Sequence, residues 1–164
     1  MKPLPIELLQ RMPVFGGIRD ETLHFLLEQV REVHLDTGQF FCREGDRAES
    51  MYVLQTGQVA VLKGWRGHEL LLHSLHAGDC FGEMALLDLF PRSASIRAET
   101  ACKAIELGCA DLHRLFERDV EQFALIQMNI GREISRRLRA ADDLLFRARM
   151  GEVPAPAELV LRSA

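Results

Sequence analysis

The sequence predicts a mainly β fold, an antiparallel jelly-roll β-barrel with short N-terminal helices and a long C-terminal helix. Hydrophobic residues recur every three or four positions at both ends of the chain, as they do in helices. Between residues 31 and 109 they recur every second position, and glycine turns interrupt them at short intervals, as in antiparallel strands. The chain has 164 residues, 48% of them hydrophobic and 27% charged, which is enough to bury one full core.

Residues 1–30 are expected to form two small helices. The first, in the segment PIELLQRMPVF, is stopped by Pro13. In the second, ETLHFLLEQV, leucine and valine residues lie at spacings of three and four on one face. Asp20 precedes this segment, and its side-chain oxygen is expected to cap the helix.

Residues 31–109 are expected to form the barrel. The segment REVHLDTGQFF alternates hydrophobic and polar residues around the turn residues DTG. Further turn signals follow at fairly regular intervals: EGD at 44–46, TG at 56–57, GWRG at 64–67, HAGD at 76–79 and LG at 107–108. A row of roughly seven or eight short antiparallel strands is typical of a barrel or a jelly roll.

Residues 110–150 return to a helical pattern. The segment ADLHRLFERD predicts a short helix, and Asp119 with Gln122 predicts the cap of a long helix from about Val120 to Met150. At about 1.5 Å per residue this helix is roughly 45 Å long, against a radius of gyration of roughly 15 Å for a chain of this size. Part of the helix must therefore extend beyond the barrel. Residues 151–164, rich in proline and alanine, are expected to be a flexible tail.

The long helix also contains a row of apolar residues at alternating spacings of four and three, the pattern of a two-stranded coiled coil. The row consists of Ile130, Ile134, Leu138, Ala141, Leu145 and Ala148. Packing of the same row against the chain's own barrel is the alternative. We expect both, divided along the helix, and therefore predict a homodimer.

Charge and hydropathy argue against several classes of function. A net charge of −4 and a pI near 5.9 provide no bulk attraction to nucleic acid. No apolar run approaches the roughly 18 residues that span a bilayer, and prolines interrupt any signal sequence, so we expect no membrane partner and a cytoplasmic location. The basic stretch of the long helix is expected to be a solvent-exposed face. It consists of Arg132, Arg136, Arg137 and Arg139.

No metal site is expected. The four cysteines are Cys42, Cys80, Cys102 and Cys109. They include no CxxC pair, so neither zinc nor an iron–sulfur cluster is indicated, and reduced core thiols are expected. His68, His73 and His76 with Glu69 suggest a metal-binding cupin, a barrel of similar shape with enzymatic members. On an extended strand, however, residues 68 and 76 face away from residue 73, so the three imidazoles cannot converge.

The segment FGEMALLDLFPRSASIRAET, residues 81–100, places one glutamate and one arginine among small residues. A short helix that begins at Gly82 and Glu83 exposes backbone N–H groups, and these attract an anion. Arg92 follows Pro91, which fixes the direction of the chain. Its guanidinium can hold a phosphate with two parallel hydrogen bonds.

The neighbours of Arg92 extend this phosphate cradle. Ser93 adds a hydroxyl group, and Ala94 is small enough for a ligand to approach the backbone. Glu83 would repel a phosphate alone, but a carboxylate can accept a hydrogen bond from a sugar hydroxyl, as in dinucleotide sites. A phosphate beside a ribose indicates a nucleotide.

These residues resemble the phosphate-binding cassette of the cyclic nucleotide-binding domain family, which includes the catabolite activator protein, kinase regulatory subunits and cyclic nucleotide-gated channels. The similarity extends upstream through REGDRAESMYVLQTGQVAV and downstream through ETACKAIEL into the long helix. The combination of GE, PRSA and two glycine turns is specific to this family.

The resemblance implies a jelly roll whose cassette, residues 81–95, holds the ribose and phosphate of cyclic AMP or cyclic GMP. The residues that it places around them are Gly82, Glu83, Met84, Ala85, Arg92, Ser93 and Ala94. By the same resemblance Glu83 binds the ribose 2′-OH and Arg92 an exocyclic phosphate oxygen. The long helix, from Val120, is expected to close over the base and relay binding.

For the base, the resemblance implies contacts with Leu72 and with His73 beside it, and with Ala141 and Asp142 of the long helix. The catabolite activator protein presents a threonine–serine pair to adenine where Ala141 and Asp142 stand. Hydroxyl readout of adenine is therefore not implied for this chain. The Asp142 carboxylate can instead accept hydrogen bonds from the guanine edge, so cyclic AMP and cyclic GMP both remain open.

The expected function is that of a sensor and not of an enzyme, because no nucleophile–base pair and no glycine-rich triphosphate loop is found. Relatives that regulate transcription continue into a helix-turn-helix domain, whereas only residues 151–164 follow the long helix here. DNA binding is therefore not expected, and output is expected through the dimer or a separate effector protein. The alternative is an interaction scaffold whose pocket is empty or binds a cyclic dinucleotide.

Overall fold

The computed structural model describes residues 6–152. All of the expected tail except its first two residues lies outside this range. The helices are α1 (Ile6–Gln10), α2 (Asp20–Leu27), α3 (Met84–Asp88), α4 (Cys109–Arg118) and α5 (Val120–Arg149), and a turn of 3-10 helix covers Pro13–Phe15. The strands are β1 (Arg31–Leu35), β2 (Phe40–Cys42), β3 (Ser50–Thr56), β4 (Gln58–Trp65), β5 (His68–His76), β6 (Cys80–Phe81), β7 (Ser95–Ala98) and β8 (Cys102–Gly108).

The strands form two four-stranded antiparallel sheets that face each other. One sheet has the order β1-β8-β3-β6 and the other the order β2-β7-β4-β5. Strands β4 and β5 form a long hairpin, closed by Arg66 and Gly67 with φ of +48° and +83°. Positive φ at both central residues gives the turn the twist that antiparallel neighbours require. The predicted jelly-roll fold with short N-terminal helices and one long C-terminal helix is confirmed.

Two hydrophobic cores meet at strand β3, which is why nearly all of its residues are buried. Tyr52 and Leu54 point into the space between the sheets. Met51 and Val53 point the other way, into a second core formed with the N-terminal helices, α4 and α5. Because side chains alternate along a strand, one strand can contribute to both cores. The helices are thereby fixed to the outside of the barrel.

Helix α5 changes its surroundings along its length. Near its start Ile126 and Ile130 are fully buried, and Asn129 Nδ2 donates to the carbonyl oxygens of Val14 (3.2 Å) and Gly16 (2.9 Å). In the second half of the helix several apolar side chains are exposed to solvent, among them Leu138, Leu145 and Phe146. The expected division into a part that packs on the barrel and a part that does not is therefore present within one chain.

Of the two helix caps predicted from the sequence, one is present in the structure and the other is not. The Asp119 carboxylate accepts a hydrogen bond from the Gln122 backbone N–H at 3.1 Å, as predicted. The prediction for Asp20 is wrong, because α2 begins at this residue, after Arg19, and has no side-chain cap. The Asp20 carboxylate instead accepts a hydrogen bond from Gln10 Nε2 at 2.7 Å. Asp20 thus bonds to a side chain of α1 and not to a backbone N–H of its own helix.

All four cysteines are free thiols, and three of them are buried or partly buried. Cys109 is exposed, so its assignment to the core was wrong. It is the first residue of α4, where the chain leaves the sheet at the protein surface.

Within residues 6–152, no helix is long and apolar enough to cross a membrane. The same residues include no group of three or more His, Cys, Asp or Glu side chains arranged to hold a metal ion. The expectations of a cytoplasmic location and of a metal-free site stay predictions.

Substitution of two turn glycines tests how tightly the chain packs around Gly57. Gly57 (φ +95°) and Gly38 (φ +88°) both have left-handed backbones, but a Cβ on Gly57 would lie 2.6 Å from Ala101 O and 2.7 Å from Cys102 Sγ. A Cβ on Gly38 would have nothing within 4 Å. Gly38→Ala is expected to lower the free energy of unfolding by about 1–2 kcal/mol through backbone strain. Gly57→Ala adds a clash of about 1–3 kcal/mol.

Urea unfolding followed by circular dichroism measures both changes. Equal losses for the two variants would contradict the packing at Gly57.

Candidate functional site

The cassette is held in place by pairing at both of its ends. Strand β6 pairs with β3 and leads directly to Gly82 and Glu83 at the start of α3. Beyond α3, the Arg92 backbone N–H donates to Asp46 O and its carbonyl accepts from the Gly45 N–H, both at 2.9 Å. The EGD turn noted in the sequence therefore positions the cassette arginine.

A cavity of about 630 Å³ lies between the cassette, strands β4 and β5, and helix α5. Its volume is within the range of small-molecule sites. Every residue predicted for the site lines this cavity, with one exception. Those present are Leu72, His73, Gly82, Glu83, Met84, Ala85, Arg92, Ser93, Ala94 and Ala141. The exception is Asp142.

Arg92 is only 6% exposed, yet it forms no ion pair with a carboxylate among residues 6–152. Its Nη1 donates to Gly82 O at 3.0 Å, and its Nη2 contacts Ser50 Oγ at 3.4 Å. The Ser50 hydroxyl in turn bonds to Glu106, which is therefore linked to the guanidinium only indirectly. Burying a cation without a counter-ion is unfavourable.

Gly82 is required by this arrangement. Its φ is +78°, and a Cβ at this position would lie 2.2 Å from Arg92 Nη1. Any other residue would displace the guanidinium from the carbonyl to which it donates. The sequence predicted a glycine contact with a ligand, and the structure adds a contact with the arginine.

Glu83 is 3% exposed and faces helix α5. Its Oε1 accepts a hydrogen bond from Arg137 Nη1 at 2.9 Å. A second Arg137 nitrogen donates to the carbonyl of Cys80, and its Nε lies 3.6 Å from Glu133 Oε1. The long helix is thus connected to the cassette through one guanidinium.

Arg137 was predicted to lie on a solvent-exposed face, and this was wrong, since its side chain is 17% exposed. Ile130, Ile134 and Arg137 are spaced four and three residues apart, so they share one helix face. The same spacing could have identified Arg137 in the sequence. Arg132, Arg136 and Arg139 are exposed, as expected.

His73 lines the cavity beside this charged group and is partly buried. Burial, with a smaller effect from the positive charge of Arg137, lowers the pKa of His73 to about 4. Its imidazole is therefore neutral at physiological pH and can both donate and accept a hydrogen bond.

Lys63 also lines the cavity and was not identified from the sequence. Its Nζ donates to Ser93 O at 2.7 Å and pairs with Glu44. Nothing in the sequence distinguishes Lys63 from an ordinary surface lysine. Only the pairing of β4 with β7 brings it beside the cassette.

Asp142 lies on the exposed surface of α5, outside the cavity. Neighbouring helix residues point in directions about 100° apart, so Ala141 and Asp142 cannot both face the same cavity wall. Within a single chain, Asp142 is therefore not positioned to contact a base in the cavity.

Comparison with known proteins agrees with this geometry. The sequence profile of the family described as "Cyclic nucleotide-binding domain" matches residues 32–119, more than half of the chain. A cAMP-dependent protein kinase regulatory subunit of Emericella nidulans is 31% identical over 65% of this chain and 26% of its own length. The cAMP-activated global transcriptional regulator CRP of Salmonella typhimurium is 30% identical over 76% of this chain and 58% of its own length.

The chain thus spans about a quarter of the length of that kinase subunit and somewhat over half of the bacterial regulator. Among solved structures, the catabolite activator protein of Thermus thermophilus superposes with a TM-score of 0.72 and 30% sequence identity. The match covers 84% of this chain and 63% of that protein. The chain therefore belongs to the cyclic nucleotide-binding domain family.

Proposed function

We propose that this chain is a regulatory module that binds a cyclic nucleotide in the cavity beside the cassette and transmits its occupancy through helix α5. The observation that best supports this proposal is the buried Arg92, which lacks a counter-ion among the described residues. A cyclic phosphate supplies that charge. We also propose that this module regulates and does not catalyse a reaction.

The residues of the cavity suit the parts of such a ligand. Arg92 would pair with the phosphate, with help from Ser93 and the backbone at Ala94. A carboxylate has two acceptor oxygens, so Glu83 can keep Arg137 on one and accept the ribose 2′-OH on the other. Met84 and Ala85 would offer backbone groups at the start of α3.

Cyclic AMP is the nucleotide that we favour. It is the ligand named for the kinase subunit and the bacterial regulator. The carboxylate suggested for the guanine edge, that of Asp142, lies outside the cavity. Leu72, Ala141 and the neutral His73 remain to contact the base. Cyclic GMP and cyclic di-GMP are the competing ligands in the test.

Signal transmission would use the link between Glu83 and Arg137. The ribose hydroxyl and α5 both bind the same carboxylate, so the ligand changes the free energy of the contact that holds the helix. A ligand shifts a conformational equilibrium only by its difference in affinity for the two states. Coupling energies of about 1–3 kcal/mol are typical.

The exposed part of α5 would form a homodimer. Leu138 is 60% and Leu145 55% exposed, and both belong to the coiled-coil row predicted from the sequence. Because Leu138 and Ala141 also line the cavity, a second helix packed on this row would lie near the bound nucleotide. Output would pass through this dimer or to a separate effector protein.

Removal of Arg92 tests the binding site. Arg92→Ala is expected to weaken cyclic AMP binding at least tenfold, because a charge-assisted hydrogen bond contributes about 1.5–3 kcal/mol and about 1.4 kcal/mol is tenfold. Arg97→Ala is the matched control, because Arg97 is a partly buried arginine of β7, the strand that follows Arg92, and does not line this cavity. Isothermal titration with cyclic AMP, cyclic GMP and cyclic di-GMP measures the affinities.

Unchanged affinity in Arg92→Ala would exclude the phosphate assignment. Absence of saturable heat with every ligand would favour the alternative of an interaction scaffold with an empty pocket.

Substitution of Arg137 tests whether ligand binding in the cavity is transmitted to α5. Cyclic AMP is expected to change amide hydrogen exchange along α5 in the native protein, and Arg137→Met is expected to reduce that change severalfold while binding persists. Arg136→Met is the control, since Arg136 lies on the same helix and pairs only with Glu133 among the described residues. Exchange followed by mass spectrometry gives the result. The same ligand-induced change in both variants would refute the role of Arg137.

A charge in the coiled-coil row tests the dimer. Leu145→Glu is expected to shift the protein to monomer, because it would bury a carboxylate in an apolar seam. Phe146→Glu changes an equally exposed neighbour, 63% against 55%, that lies outside the row. It should leave the assembly intact. Sedimentation velocity distinguishes the two variants, and loss of the dimer in both, or in neither, would argue against the predicted seam.

A further inference from the structure

The mouth of the cavity is surrounded by apolar side chains that are open to solvent. Leu72, Met84, Leu138 and Phe90 all line it, with exposures of 43%, 47%, 60% and 68%. Scattered exposed apolar residues are ordinary, but a group of them around one opening indicates a contact surface. In the proposed function the phosphate and the ribose occupy the wall that carries Arg92 and Glu83, so the base lies toward these apolar side chains.

Phe90 is the aromatic member of this group, and the backbone around it is specifically built. Helix α3 ends at Asp88, and the C-cap residue Leu89 has a φ of +59°, which is left-handed and unfavourable for a leucine. The Phe90 backbone N–H then donates to Asp88 Oδ1 at 3.0 Å. Pro91 follows and restricts φ. The unfavourable backbone conformation of Leu89 thus places Phe90 at the opening of the cavity.

The same loop positions Phe90 close to the anion site. Phe90 is two residues from Arg92, whose backbone is fixed to the turn at Gly45 and Asp46 by two hydrogen bonds. The neighbouring side chains Leu87 and Leu89 are also exposed but do not line the cavity. Of these three apolar side chains, only Phe90 lines the cavity.

We propose that Phe90 is a base-contact residue, whose ring packs against the nucleobase of the bound cyclic nucleotide from the same loop that holds the phosphate. The proposal rests on the proposed function. Aromatic side chains bind bases through their faces, and a purine offers a larger face than a pyrimidine. Leu72 and Leu138 complete an apolar clamp on the base. The ring selects for a purine, and the hydrogen-bonding groups of the cavity are left to distinguish one purine from another.

The test compares ligands with and without a base. Cyclic AMP, cyclic CMP and a ribose 3′,5′-cyclic phosphate that carries hydrogen in place of the base are titrated into the full chain and into Phe90→Ala. Phe90→Ala is expected to weaken cyclic AMP binding about tenfold, cyclic CMP less, and to leave the base-free compound unchanged. Phe90→Tyr keeps the aromatic face and is expected to restore binding of cyclic AMP. Leu87→Ala, the exposed neighbour outside the cavity, serves as the matched control.

Each other outcome overturns the proposal. If Phe90→Ala weakens cyclic AMP and the base-free compound equally, Phe90 only shapes the phosphate loop. If Phe90→Ala leaves cyclic AMP binding unchanged, Phe90 does not contact the base. If the native chain binds neither these three ligands nor cyclic GMP, the proposed function itself fails, and the base contact with it.

Discussion

The buried guanidinium of Arg92 determines how the rest of the site is arranged. It lies against the backbone of Gly82, where a Cβ would come within 2.2 Å of Nη1, and it has no carboxylate partner among the described residues. Holding a cation in this position requires fixed surroundings, and these are supplied by the backbone pairing of Arg92 with Gly45 and Asp46. The backbone of the cassette at Arg92 is thereby fixed to a neighbouring turn.

Helix α5 is both a wall of the cavity and a structural element of the core. Its first turns are fixed by buried Ile126 and Ile130, whereas its middle reaches the cassette through the ion pair between Arg137 and Glu83. Beyond this point the apolar side chains face solvent, as at Leu145. The ion pair therefore joins the cassette to α5 between the buried start of the helix and its exposed end.

The cassette side of the cavity could be predicted because its residues are neighbours in sequence. The cassette from Gly82 to Ala94 forms a local loop, and its glycine, glutamate and arginine have few other reasons to occur together. Lys63 could not be assigned in this way, and the sequence could place Arg137 only on the buried face of α5, not beside the cassette. Each reaches the site through pairing or packing with a distant segment, Lys63 beside Ser93 and Arg137 beside Glu83. Asp142, in contrast, was assigned to the site from its sequence position, but the rotation of the helix turns it away.

By itself the sequence determined the order of helices and strands, the family resemblance and the phosphate-binding loop, because hydrophobic period, turn residues and short motifs are local properties of the chain. Only the tertiary structure decided which side of α5 meets the cavity, that Arg92 is buried without a counter-ion within residues 6–152, and that Phe90 lies at the opening of the cavity. These features depend on how segments distant in the sequence pack together. The rotation of a helix about its own axis is set by its packing partners, and a change of one residue moves a side chain by about 100°.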